Sequence, residues 1–183
     1  LHDLIYQMLE TEQGGQRIYE VALRCAVRSD LREEWRGYLE ETRRHERVVR
    51  SLCDALGLDA EADTPSPLLL RSIHAALVDA MQMALQRAGP SAAQRVACEC
   101  VVHAETKDHP NWELLGRVAE MAGPAPGGPE LQAGHASVEK EEDHHLYHSK
   151  GWCRELWMEA LGMPAVLPPP EEVKQVKTAI GAS

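Results

Sequence analysis

The chain has 183 residues, is 44% apolar, contains no Phe and is only 4% aromatic, enough for one domain whose core is packed mainly by aliphatic side chains and tryptophans. Its formal charge of −10 excludes non-specific binding to nucleic acid, which needs a basic face to displace counterions, and argues equally against an anionic membrane surface. No apolar run approaches the ~20 residues that span a bilayer and no signal peptide is visible, so a cytoplasmic protein without nucleic-acid or membrane partners is expected.

Helical periodicity is nearly continuous and strand signals are nearly absent. Leu4, Met8, Leu9, Ile18, Val21, Ala22 and Cys25 predict a first helix reaching about Val27, weakened locally by Gly14 and Gly15. Ser29 and Asp30 supply an N-cap for a second helix from about Leu31 to Ala55, stopped at Gly57. Leu58 to Pro67 reads as a loop. Ser66-Pro67 opens a third helix through Leu70, Ile73, Leu77, Met81 and Leu85, ended by Gly89-Pro90. A fourth runs from about Ser91 to Met121, with Pro110 expected to kink or interrupt it. After the Pro/Gly-rich stretch 123–129, a fifth helix spans about Glu130 to Leu161. The expected division is a helical domain over 1–162 and a mobile Pro-rich tail over 163–183.

The order of elements predicts an all-α fold. Two helix hairpins are separated by a long connection that carries its own helix. Such a connection lets the second hairpin lie beside the first as an antiparallel four-helix bundle of ferritin-like topology, with an extra helix in the crossover. The apolar crossover helix, roughly 68–88, would be covered by a second copy, giving a homodimer. The five cysteines, Cys25, Cys53, Cys98, Cys100 and Cys153, are odd in number and lack Cys-x-x-Cys spacing, so reduced thiols are expected.

A doubled pattern of acids and histidines lies on the four hairpin helices. Glu12 is followed 29 residues later by Glu41, with His45 four further on, and Glu105 is followed 36 residues later by Glu141, with His145 four further on. Glu142 and His145 form a second, three-spaced pair, whereas the first half has Thr42 where the matching glutamate would stand. Glu12 lies 16 residues before the turn at Arg28 and Glu105 17 before the turn near Ala122. Glu41 and Glu141 each lie 11 residues past the start of a return helix. A Glu on one helix and a Glu/His pair on the next, given twice, is the ligand inventory of a dinuclear centre in a bundle core. The expected ligands are Glu12, Glu41, His45, Glu105, Glu141, Glu142 and His145. Carboxylates can bridge two cations, and neutral imidazole fills a terminal position on each. His144 is an alternative through Glu141-x-x-His144, and His109 could reach the face of Glu105. The other acids and histidines of 138–148 read as a solvated face. Tyr6 and Tyr19 read as core residues that could hydrogen-bond near the site.

Two stretches carry a resemblance to a known family. Leu39-Glu40-Glu41-Thr42-Arg43-Arg44-His45 and Val101-Val102-His103-Ala104-Glu105-Thr106-Lys107-Asp108-His109 are similar to motifs of the ferritin-like superfamily, in its YciF-like branch of bacterial stress-associated proteins. His109 stands where that branch tends to have Tyr, and the last helix is richer in His. The resemblance covers most of 1–162. It implies an antiparallel four-helix bundle with a crossover helix, a di-iron or di-manganese site, and dimerisation.

The expected function is therefore that of a di-metal carboxylate protein reacting with dioxygen or peroxide, or handling iron, in stress response. Two transition-metal ions are expected, iron first, with manganese or zinc as alternatives. A metal-free helical module acting in stress response through protein contacts is the competing reading. A helical zinc hydrolase ranks third, because four bundle carboxylates exceed the need of one zinc.

Overall fold

A computed structural model describes residues 1–163. These residues fold into five α-helices: α1 (His2–Cys25), α2 (Ser29–Leu56), α3 (Leu68–Arg87), α4 (Pro90–Ala122) and α5 (Gly128–Ala160). No strand occurs among the described residues, so the fold is all-α. The tail expected over 163–183 lies outside them apart from Met163.

Local chemistry accounts for the helix ends. Gly57 closes α2 at φ 66°, where a side chain would be strained. Pro90 sits in the first turn of α4, where its missing N–H costs no bond. The start of α2 departs from expectation. Arg28, with extended φ and ψ, occupies the N-cap, while Ser29 and Asp30 are already helical. The turn is fixed from outside instead: the backbone N–H groups of Val27 and Arg28 both donate to Gln94 Oε1, at 2.6 and 2.8 Å. The carboxamide of α4 thereby caps the α1–α2 corner. Pro110 does not interrupt α4, which runs unbroken. It is exposed, while Asp108, His109, Asn111 and Trp112 around it are buried, so packing holds both flanks of the lost backbone bond.

The helices pack in a closed cycle. α1 lies against α2 and α4, α4 against α5, and α5 against α2, while α3 rests on α1 and α4 outside the cycle. The connections 26–28 and 123–127 are short enough to turn the chain straight back. By length and composition α3 is apolar enough to cross a membrane, contrary to the sequence expectation. It buries Leu70, His74, Met81 and Ala84 against its neighbours and exposes Leu68, Leu69, Ile73 and Met83.

The buried apolar residues form two clusters at opposite ends of the cycle. One holds Ile18, Tyr19, Ala22, Leu31, Trp35, Tyr38, Leu39, Val101 and Leu156. The other holds Ile5, Met8, Leu9, Val49, Leu52, Trp112, Leu115, Leu131 and Val138. Between these sets each helix of the cycle buries polar residues: Glu12, Thr42 and His45, Glu105 and Asp108, Glu142 and His145. A charged layer thus separates two apolar cores.

Gly14 has a reason beyond helix propensity. A Cβ there would stand 1.8 Å from Nδ1 of His74, so its absence admits the buried His74 ring of α3. Gly14→Ala sets a gain of about 1 kcal/mol in helix propensity against overpacking of about 1–3 kcal/mol. A contact this short is expected to decide the sign. Urea denaturation should show net destabilisation, and a stabilised variant would contradict this packing of α3 on α1.

Candidate metal centre

The polar layer is built from one turn of each cycle helix. α1 contributes Glu12, α2 His45, α4 Glu105 and Asp108, and α5 Glu142 and His145. All six are buried, Glu12 and His45 completely. The three-residue spacings 105/108 and 142/145 put each pair on one helix face.

Neighbours fix how these side chains point. Trp112 Nε1–H donates to Glu12 Oε1 at 2.9 Å, and the Tyr19 hydroxyl donates to Glu105 Oε1 at 2.8 Å. Each carboxylate is thus held by one oxygen. His45 Nδ1 lies 2.7 Å from Glu142 Oε1 and 3.9 Å from Glu12 Oε2. His145 Nδ1 lies 3.7 Å from Glu105 Oε2 and 3.9 Å from Glu142 Oε1. Each histidine also turns its Nε2 outward. That of His45 meets Glu141 at 2.7 Å, and that of His145 meets Glu41 at 2.7 Å. An ionised carboxylate only accepts, so each Nε2 carries a hydrogen, and in the neutral ring Nδ1 keeps its lone pair for the layer.

The sequence-expected residues therefore divide in two. Glu12, His45, Glu105, Glu142 and His145 meet in the layer. Glu41 and Glu141 lie at its rim, about a third exposed, on the outward nitrogen of a histidine from the facing helix. Arg44 also pairs with Glu141. Thr42, where a glutamate was missing, is buried and donates its hydroxyl to the Tyr38 carbonyl at 2.8 Å. Asp108 is the layer residue that the sequence reading missed. Its three-residue spacing from Glu105, matching Glu142/His145, was the available signal. His109 pairs with Asp143 at 2.8 Å instead of joining the layer, and His103 is exposed.

Two overlapping groups have ligand atoms within 4.8 Å of one another: His45, Glu142 and His145, and Glu12, Asp108 and Glu142. Glu142 belongs to both. Six buried atoms of the layer lack a hydrogen bond of good geometry: Glu12 Oε2, His45 Nδ1, Glu105 Oε2, Asp108 Oδ1 and both oxygens of Glu142, the 2.7 Å approach of His45 Nδ1 to Glu142 Oε1 included. Orphaned buried acceptors are costly in protein interiors. Their convergence fits cations that would accept all these lone pairs, and the mixed carboxylate and imidazole donor set suits transition metals.

The electrostatics agree. Burial, then Asp108 and Glu142, raise the pKa of Glu12 well above its ordinary value. Burial, then Glu142 and Glu105, do the same to Asp108. Burial pushes Glu105 up to about 7 despite the nearby His145. Burial works against a charged His145, yet the bond to Glu41 and the carboxylates Glu105 and Glu142 overcome it and raise its pKa. The rim behaves oppositely: the bond to His145 leads in lowering Glu41. Burial also keeps the Tyr19 hydroxyl protonated as a donor.

No known protein family, curated protein or solved structure matches this chain.

The raised carboxyl values fix a sign for the metal-free protein. Between the ordinary value of 4.5 and about 7, folded Glu105 binds more protons than unfolded Glu105, so stability falls as pH rises through that window. The raised pKa of His145 acts in the same direction, because the stability it adds below 6.5 is lost as pH rises through its folded value. Chelator-stripped protein should therefore melt several degrees lower at pH 7.5 than at pH 5.5. A higher melting temperature at pH 7.5 would contradict the assigned burial of these charges.

Proposed function

We propose that this chain is a di-metal carboxylate protein of ferritin-like kind, with α1, α2, α4 and α5 as an antiparallel four-helix bundle and α3 as its crossover helix. The observation that carries the reading is the set of six converging lone-pair atoms without hydrogen bonds of good geometry in a layer sealed by two apolar cores. Two transition-metal ions are proposed as the cofactor, iron first, with manganese or zinc as alternatives. Glu12, His45, Glu105, Asp108, Glu142 and His145 would hold them, with Glu142 common to both. When bound, reduced iron would supply the electrons for a reaction with dioxygen or peroxide.

The protein's own residues have distinct tasks in this proposal. His45 and His145 present Nδ1, while Glu141 and Glu41 hold the outward Nε2–H and so fix the tautomer. Trp112 and Tyr19 each occupy one carboxylate oxygen and leave the other to face inward. The apolar clusters exclude water from above and below. A cleft of about 230 Å³, lined by His109, Trp112, Arg117, Glu142, Asp143 and Tyr147 among others, reaches Glu142 from outside. Its volume would hold a small oxidant. A stress-response setting follows from the family resemblance and a cytoplasmic one from the expected reduced thiols, and both belong to the same proposal. So does the homodimer: α3 exposes Leu68, Leu69, Ile73 and Met83, and light scattering at micromolar concentration tests whether a second copy covers them.

Elemental analysis of protein purified without chelator or affinity tag, beside a Glu12→Gln/Glu142→Gln variant, tests the reading. The variant should contain about two fewer transition-metal ions per chain. Equal metal content would remove the centre and favour the metal-free module. In protein loaded anaerobically with Fe(II), addition of oxygen should oxidise the iron faster than in buffer. Oxidation at the buffer rate, with iron bound, would leave metal binding and defeat the oxidase reading.

A further inference from the structure

Outside the buried layer a second group of metal-ligating side chains lies across the α2–α5 contact. Glu34 of α2 and His144 and His148 of α5 each bring one ligand atom within 4.8 Å of the others. His148 Nδ1 is 3.2 Å from Glu34 Oε1. The rings of His144 and His148 lie 3.6 Å apart between centroids, tilted by 34°. The group opens to solvent: Glu34 and His148 are half-buried and His144 is exposed.

We propose that Glu34, His144 and His148 form a separate site for one divalent transition-metal ion. Two histidines four apart on a helix present their nitrogens on one face, and a carboxylate from a neighbouring helix completes a three-ligand set suited to zinc or ferrous iron. Glu34 is also oriented beforehand. Trp152 Nε1–H donates to its Oε2 at 2.7 Å, and the Tyr38 hydroxyl donates to its Oε1. Supporting contacts of this kind hold a ligand carboxylate in place. Burial favours the neutral acid, but the bonds from His148, Tyr38 and Trp152 keep Glu34 below its ordinary pKa, so the carboxylate is charged.

The site shares no residue with the buried layer. The Tyr38 ring forms the wall between them, 5.6 Å from the His144 ring and 4.2 Å from that of His145. Glu34, Tyr38 and Glu41 follow one face of α2, so the outer group and the rim carboxylate Glu41 lie along one line of the molecule. A metal ion here would stand next to the layer without depending on it.

The test uses the full chain, stripped with chelator and dialysed against micromolar Zn2+ alone, with bound zinc counted by elemental analysis. The His144→Ala/His148→Ala variant should bind about one ion fewer than wild type. Glu34→Gln, which keeps the side-chain volume, should lose the same ion. Circular dichroism melts establish that each variant is folded. Glu12→Gln/Glu142→Gln should retain the ion even if the layer binds none, so failure of this site and failure of the buried centre are distinguishable. Equal zinc in wild type and in both outer variants would overturn the proposal, as would loss of all zinc from the layer variant.

Discussion

Four carboxylates and two imidazoles share one buried layer, and none of the buried residues among those described is a lysine or arginine. Every other feature of the molecule accommodates that constraint. Taking an ionised carboxylate out of water costs several kcal/mol unless a counter-charge is supplied. Within the layer only His45 and His145 can carry positive charge, against Glu12, Glu105, Asp108 and Glu142. The balance must come from protons or from metal cations. Protons can balance the charge, since burial and mutual repulsion raise the pKa values of Glu12, Glu105 and Asp108, but they leave lone pairs without partners. Cations would satisfy both needs.

The layer also ties the helices together by exchange. α4 supplies Trp112 to the glutamate of α1, and α1 supplies Tyr19 to the glutamate of α4. In the same manner α5 supplies Glu141 to the histidine of α2, and α2 supplies Glu41 to that of α5. Each polar bond thus crosses a helix contact, and the apolar clusters above and below fix the spacing. A site built on rigid helices with such supporting bonds holds its geometry better than one built on loops. The cost is that the halves are not equivalent: Thr42 stands opposite Glu142 in the pattern, and Asp108 makes up the fourth carboxylate from α4.

Much of this was legible from spacing. The five helices follow the apolar periodicity, and Glu12, His45, Glu105, Glu142 and His145 were identified from their positions on helices that turn back on each other. What was not legible depends on direction around an axis. Glu141 and Glu142 differ by about 100° about α5, and both are within reach of His145 by sequence alone. In the fold the three-spaced Glu142 faces inward, and the four-spaced Glu141 instead meets a histidine across the helix contact. Glu41 follows the same rule on α2. Asp108 stands outside the doubled pattern because that pattern asks for one acid on α4, although Glu105-x-x-Asp108 repeats the spacing of Glu142-x-x-His145. The Ser29-Asp30 cap failed for another reason: Arg28 takes the N-cap, and Gln94, distant in sequence, accepts the Val27 and Arg28 N–H groups of the turn, a tertiary bond no local pattern encodes. Apart from the expected ligands and the alternative His144, the acids and histidines of 138–148 read as a solvated face, yet His144 and His148 meet Glu34 because α5 lies on α2.

Metal cations are proposed to replace protons in the buried layer. Anaerobic calorimetric titration of the chelator-stripped chain with Mn(II) near pH 6, run in two buffers of different ionisation enthalpy, measures that replacement directly. Cations that enter among raised-pKa carboxyls must displace their protons, so release of about one proton or more per chain is expected, and Glu105→Gln/Glu142→Gln should release markedly fewer. Binding heats identical in the two buffers, or no binding at all, would contradict it.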